Sequence, residues 1–170
     1  MYCHDKTKNQ NRTVALSLAL DRNARQVRVY TLTEMEPVFE ILESWMRFLG
    51  YPKKDIFAVW LTVQEAVTNA FRHGNRNQPG KCVVVRYLVT PSEVLVEVQD
   101  DGCGFEVDNV PNPLDEENRD RPSGRGIFLM RAYTSWVSFN PQGNCVLLCR
   151  HRAIDCKPTL LPSRPLQESS

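Results

Sequence analysis

The residues that could carry chemistry fall in three short stretches. Glu65, Asn69 and His73 are spaced four apart. In a helix each step of four turns only about 40° past a full turn, so the three share one stripe. That stripe lies about 120° from the centre of the neighbouring apolar one, which also describes the solvated face of an amphipathic helix. Further along, Asp100-x-Gly102-x-Gly104 sets a carboxylate beside a tight glycine turn at a strand end, and Gly124-Arg125-Gly126 opens a helix. Bare amides at a helix N-terminus can approach a phosphate. Taken alone, each glycine pair reads equally well as a loop turn.

Other nucleotide signatures are missing. The chain has no Walker-type P-loop, no dinucleotide glycine fingerprint after a strand, and no protein-kinase catalytic and metal-binding motifs. Six cysteines (Cys3, Cys82, Cys103, Cys145, Cys149, Cys156) contain no closely spaced pair of the zinc-ribbon kind. Cys145, Cys149, His151 and Cys156 match no common zinc module, and Cys145 with Cys149 alternates as strand residues do. Reduced thiols are the expectation.

The order of the three stretches is more specific than any one of them. Glu65-Ala66-Val67-Thr68-Asn69-Ala70-Phe71-Arg72-His73-Gly74-Asn75 comes first, then Asp100-x-Gly102-x-Gly104-Phe105, then Gly124-Arg125-Gly126-Ile127-Phe128-Leu129-Met130. This resembles the boxes of the GHKL ATPase superfamily, and within it the bacterial anti-sigma-factor serine kinases, over about residues 13–150. The resemblance implies a Bergerat ATP-binding fold. In it Asn69 holds Mg²⁺ against the phosphates of ATP, and Asp100 accepts a hydrogen bond from the adenine amino group. Gly102 and Gly104 let the chain pass the base, Gly124 and Gly126 frame the phosphate end of a lid, and His73 belongs to the same nucleotide box. A neutral amide oxygen is a hard ligand suited to Mg²⁺. Glu65, one turn before Asn69, is placed to orient a nucleophile and take the proton of a serine hydroxyl.

Glu65 also discriminates among branches of the superfamily. Sensor histidine kinases usually carry asparagine there, because their nucleophile is already a histidine. The three histidines (4, 73, 151) supply no phospho-acceptor helical hairpin. The implied function is a partner switch: an anti-sigma factor that phosphorylates a STAS-type antagonist on serine, acts as a homodimer, and touches neither nucleic acid nor membrane. The alternative is an ATP-binding adaptor of the same fold without transfer activity.

These residues need elements to position them. Val14, Leu16, Leu18 and Leu20 alternate as in a strand, and Gln26 to Leu32 reads as a second. Thr33 with Glu36 three residues on predicts a capping box, followed by a helix with Val38, Ile41, Leu42, Trp45, Met46 and Leu49 at helical spacing and Gly50 at its end. A helix from about Lys54 to His73 follows Pro52, with Ile56, Val59, Trp60, Val63, Val67 and Ala70 as its apolar stripe. Strands are expected over 82–89 and 94–99, a helix over 126–133, and strands over 135–140 and 145–151. Strands, then two helices, then strands predict an α+β two-layer sandwich, with helices on one face of a mixed or antiparallel sheet. Residues 1–12 are expected to be a flexible segment, 13–152 the ATPase domain, and 153–170 a Pro/Ser-rich tail.

At 170 residues and 42% hydrophobic content the chain fits one globular domain that needs no staple. Its net charge of +1 argues against a dedicated nucleic-acid binder. The sum conceals an uneven distribution. Met1 to Tyr30 carries six Lys/Arg against two Asp, and Glu106 to Asp120 carries six acids against Arg119. Residues 106–123, the expected lid, are therefore too acidic to bind phosphate alone. Positive charge at the γ-phosphate would come from Arg121 or Arg125, between which the sequence does not choose, and plain solvation accounts for either arginine equally well. No apolar run reaches membrane-spanning length and no signal peptide opens the chain, so a cytoplasmic location is expected.

Overall fold

The computed structural model describes residues 23–105 and 125–153. The expected flexible segment and strand over 1–20, the whole expected lid (106–123, with Arg121) and Gly124, and the tail beyond Ala153 lie outside the described residues. Among the described residues, five strands form one sheet: β1 (Arg25–Val29), β2 (Val83–Val89), β3 (Glu93–Asp100), β4 (Trp136–Phe139) and β5 (Cys145–His151). Their order is β1-β2-β3-β5-β4, and every pairing is antiparallel. Three α-helices among the described residues, α1 (Glu36–Phe48), α2 (Lys53–Asn69) and α3 (Arg125–Tyr133), contribute to a core on one face of it. The architecture is the expected α+β sandwich.

Alternation along the strands assigns the faces. Val83, Val85 and Tyr87 of β2, Val94, Val96 and Val98 of β3, and Val146 and Leu148 of β5 meet Val38, Leu42 and Met46 of α1, Val59, Val63 and Val67 of α2, and Met130 of α3. The opposite face is not simply wet. Leu95, Leu147 and Cys149 are buried there beside Leu88 and Trp136. Arg86 pairs with the buried Glu97 on that side and reaches Gln26 Oε1 at 2.9 Å. Residues from both faces of β3 and β5 are thus covered, which is why Glu93 to Asp100 is so rich in valine.

Helix termini show where local chemistry acts. The predicted capping box at Thr33 and Glu36 does not form: a 3-10 turn (Leu32–Met35) precedes α1, with Thr31 as its extended N-cap and no side-chain cap bond at Thr31 or at Met35, the N-cap of α1. The Thr31 hydroxyl donates to Glu34 Oε1 (3.2 Å) and the Tyr30 amide to Glu34 Oε2 (2.9 Å). Thr31-x-x-Glu34 has the same spacing as Thr33-x-x-Glu36, so the pattern alone could not separate them. Gly50 ends α1 as expected, with φ of 76°. Tyr51 N–H bonds Met46 C=O (2.9 Å) and Gly50 N–H bonds Arg47 C=O (3.0 Å), a Schellman closure that needs the left-handed residue at Gly50.

At the start of α2, Asp55 is fully buried and accepts from Arg150 Nη2 (2.6 Å) and Nε (2.9 Å) and from the Ala153 amide (2.7 Å). This pair ties the helix to the end of β5.

Candidate nucleotide site

Regular α2 stops at Asn69, four residues before the predicted end at His73. Residues Ala70–Gly74 then form one wide turn, in which the Asn75 amide reaches back five residues to Ala70 C=O at 2.7 Å. Such single wide turns re-aim the chain and recur at functional sites. His73 lies in it, exposed. Gly74 and Asn75 are carried under the end of β3.

Glu65 and Asn69 share a stripe on α2, and the solvated-face reading does not hold for them. Both are half-buried, because Gly126 of α3 lies directly over them. A Cβ at Gly126 would overlap Glu65 Oε1 and stand 2.8 Å from Asn69 Nδ2. A side chain at 126 would therefore push the ends of Glu65 and Asn69 away from their present positions. Arg125, exposed, starts the helix, so the positive end of the α3 dipole faces this region.

Asp100 closes β3 on the helix side of the sheet. Its Oδ1 accepts the Gly102 amide at 2.8 Å, while its backbone N–H bonds Asn144 C=O at 3.0 Å. The Asn144 side-chain amide returns to Asp100 C=O at 3.2 Å. The carboxylate rests against Gly74, where any Cβ would overlap it, and a Cβ at Gly102 would overlap Gly74 C=O. Asn75, 1% exposed, holds the crossing: its Oδ1 accepts the Asp101 amide (3.0 Å) and its Nδ2 donates to Cys82 C=O (2.9 Å). Burial raises the Asp100 pKa above 3.8, with Asp101 adding to the rise and the Gly102 amide and Lys81 opposing it. Among the described residues, Asp100 Oδ2 accepts no hydrogen bond.

Gly104 has φ of 76° and packs where a Cβ would overlap Gln142 C=O. Gly143, with φ of 78°, meets the Phe105 backbone in the same way. Asn140 Oδ1 fixes that hairpin by accepting the amides of Gly143 (2.8 Å), Asn144 (3.1 Å) and Cys145 (3.1 Å). The structure thus gathers Glu65, Asn69 and Gly126 at one end of the wide turn, and Gly74, Asn75, Asp100 and Gly102 at the other. Gly74, Asn75, Asn140 and Asn144 were not singled out from the sequence. The available signal was Gly74-Asn75 directly after His73, which also reads as a helix stop.

The donor set fits Mg-ATP. Asn69 offers a neutral amide oxygen beside the Glu65 carboxylate, under a helix N-terminus and a glycine that leaves the backbone bare. No described helix is long and apolar enough to cross a membrane.

Comparison with known proteins identifies the family. The sequence profile described as "Histidine kinase-like ATPase domain" matches residues 10–150. The chain is similar to an Anti-sigma F factor of Clostridium acetobutylicum, 33% identical over 84 residues, covering 47% of this chain and 57% of the relative. It is similar also to the Anti-sigma F factors of Clostridium botulinum strains Eklund 17B and Alaska E43, each 30% identical over 83 residues, covering 46% of this chain and 57% of the relative. The chain thus spans little more than half the length of these curated relatives. A profile match across most of its length, on a sandwich that joins the three boxes in space, shows that the chain belongs to the histidine kinase-like ATPase family.

Proposed function

We propose that the protein is an anti-sigma factor and ATP-dependent serine-protein kinase, acting on a STAS-type antagonist in a partner-switching system. The observation that carries this reading is Glu65 beside Asn69 under Gly126: a carboxylate one helical turn from a Mg²⁺-suited amide, at the N-terminus of α3. Asp100 Oδ2 is the acceptor for the adenine amino group. Mg²⁺, when bound through Asn69, neutralises phosphate charge. Glu65 takes the proton of the incoming serine hydroxyl as its oxygen bonds the γ-phosphorus, the bond to the β–γ bridging oxygen breaks, and ADP departs. Arg121 or Arg125 supplies positive charge to the γ-phosphate, and His73, Gly102, Gly104 and Gly124 belong to the nucleotide surround. The similarity to Anti-sigma F factors supports a sigma factor as the sequestered partner; a homodimer and a cytoplasmic location belong to the same proposal.

Incubation with γ-labelled ATP and a candidate antagonist tests the proposal. Label is expected on a serine of the antagonist, and Glu65→Gln lowers the rate by about 100-fold or more while ATP binding persists. Undiminished transfer by Glu65→Gln contradicts the role of Glu65. ATP binding without transfer to any antagonist favours the adaptor reading.

A further inference from the structure

The sheet face turned away from the helices carries a cluster that the nucleotide site does not use. Cys149 and His151 are two apart on β5, so their side chains emerge on the same face. Glu93, the first residue of β3, stands directly opposite His151 in the antiparallel register. Glu93 Oε2 lies 3.5 Å from His151 Nε2 and 3.7 Å from Cys149 Sγ, and the ligand atoms of all three fall within 4.8 Å of one another.

We propose that Glu93, Cys149 and His151 form a binding site for a borderline-soft divalent cation of the Zn²⁺ class. A tetrahedral ion with bonds of about 2.3 Å to sulfur and about 2.0 Å to nitrogen and oxygen holds neighbouring ligand atoms roughly 3.3–3.6 Å apart. Two edges of that tetrahedron are already close to this spacing. The third closes by rotation of His151, whose side chain is 44% exposed. The backbone beneath is fixed, since the His151 amide donates to Ser135 Oγ (2.8 Å) and the Ser135 amide to Cys149 C=O (2.7 Å). Cys149 is 1% exposed among Leu95, Leu147 and Trp136, so sulfur forms a dry floor while the imidazole side opens to solvent and a water completes the set. Binding transfers the thiol proton to water. A thiolate and an imidazole select against Mg²⁺ and Ca²⁺, which prefer oxygen. Cysteine and histidine spacing could not reveal this site, because Glu93 is 56 residues from Cys149 and comes from another strand. Glu93 and Asp100 end β3 on opposite sides, about 23 Å apart, so the cation site is separate from the nucleotide site.

Titration of the full, reduced chain with Co²⁺ in the absence of nucleotide tests the proposal. One equivalent is expected to produce a thiolate-to-metal band in the near ultraviolet with tetrahedral visible bands. Zn²⁺ should displace it and raise Tm by a few degrees, reversed by EDTA. Cys149→Ser removes the band. Because that variant perturbs a buried position, Glu93→Gln and His151→Gln at partly exposed positions serve as the second test, each weakening Co²⁺ binding by about tenfold or more. Absence of the band at one equivalent overturns the proposal, as does a band of unchanged affinity in Glu93→Gln and His151→Gln.

Discussion

Glu65 and Asn69 are polar residues on an amphipathic helix, and spacing alone leaves them indistinguishable from a solvated stripe. What removes them from solvent is Gly126, contributed by a helix about 60 residues further along. In Gly126→Ala the new methyl displaces the ends of the Glu65 and Asn69 side chains; transfer in the labelled-ATP assay is expected to fall at least tenfold, with the denaturant unfolding midpoint retained because both side chains can swing aside. Asp100 makes a pH prediction. Its native pKa lies above 3.8 because burial penalises the charge, so the native state holds a proton at pH values where the unfolded chain has lost it. Ionised Asp100 is therefore destabilising, and that penalty is relieved as pH falls toward its native pKa. Nucleotide affinity moves the other way: protonation weakens the acceptor, so calorimetric binding should fall on acidification through a midpoint above 3.8, and Asp100→Asn should flatten the profile.

At the scale of elements, the sequence was legible where periodicity and punctuation act locally. The valine strands and the glycine stop of α1 are nearest-neighbour patterns, whereas the expected α1 stripe is only partly core: Val38, Leu42 and Met46 are buried, but Ile41 and Trp45 are exposed. The wide turn after Asn69 was not legible, because nothing within Ala70–Gly74 distinguishes it from another helical turn. It is accompanied by contacts with β3, where Gly74 admits the Asp100 carboxylate and Asn75 bridges two backbones. The missing capping box has a similar lesson: two threonine–glutamate pairs share one spacing, and neither threonine caps the helix through its side chain. Long-range pairing was equally hidden. Asp55 reads as a first-turn helix acid, yet it is buried against Arg150, 95 residues away. Removing its carboxylate leaves the guanidinium without its main partner, so Asp55→Ala is expected to cost about 3–5 kcal/mol in urea unfolding without moving the nucleotide residues.

Across the whole molecule, the sandwich divides its labour by face. The helix side holds the core and Asp100, with Glu65 and Asn69 on the helix that packs there. The opposite side buries Leu95, Leu147 and Cys149 around the Arg86–Glu97 pair. Cys145 belongs to this second side. Burial and the charge of Glu97 push its thiol up to about 12, with Arg86 opposing. Among the described cysteines, an alkylating reagent at pH 8 should label exposed Cys103 first and leave Cys145 unmodified until the protein unfolds, as peptide mapping would show.

The direct measurement of the central claim is calorimetric titration of Mg-ATP into the full chain and into Asn69→Ala. Saturable binding by the unaltered protein, weakened at least tenfold in Asn69→Ala with its unfolding midpoint retained, is the predicted result. Equal Mg-ATP affinity in the two proteins would contradict the assignment of the site.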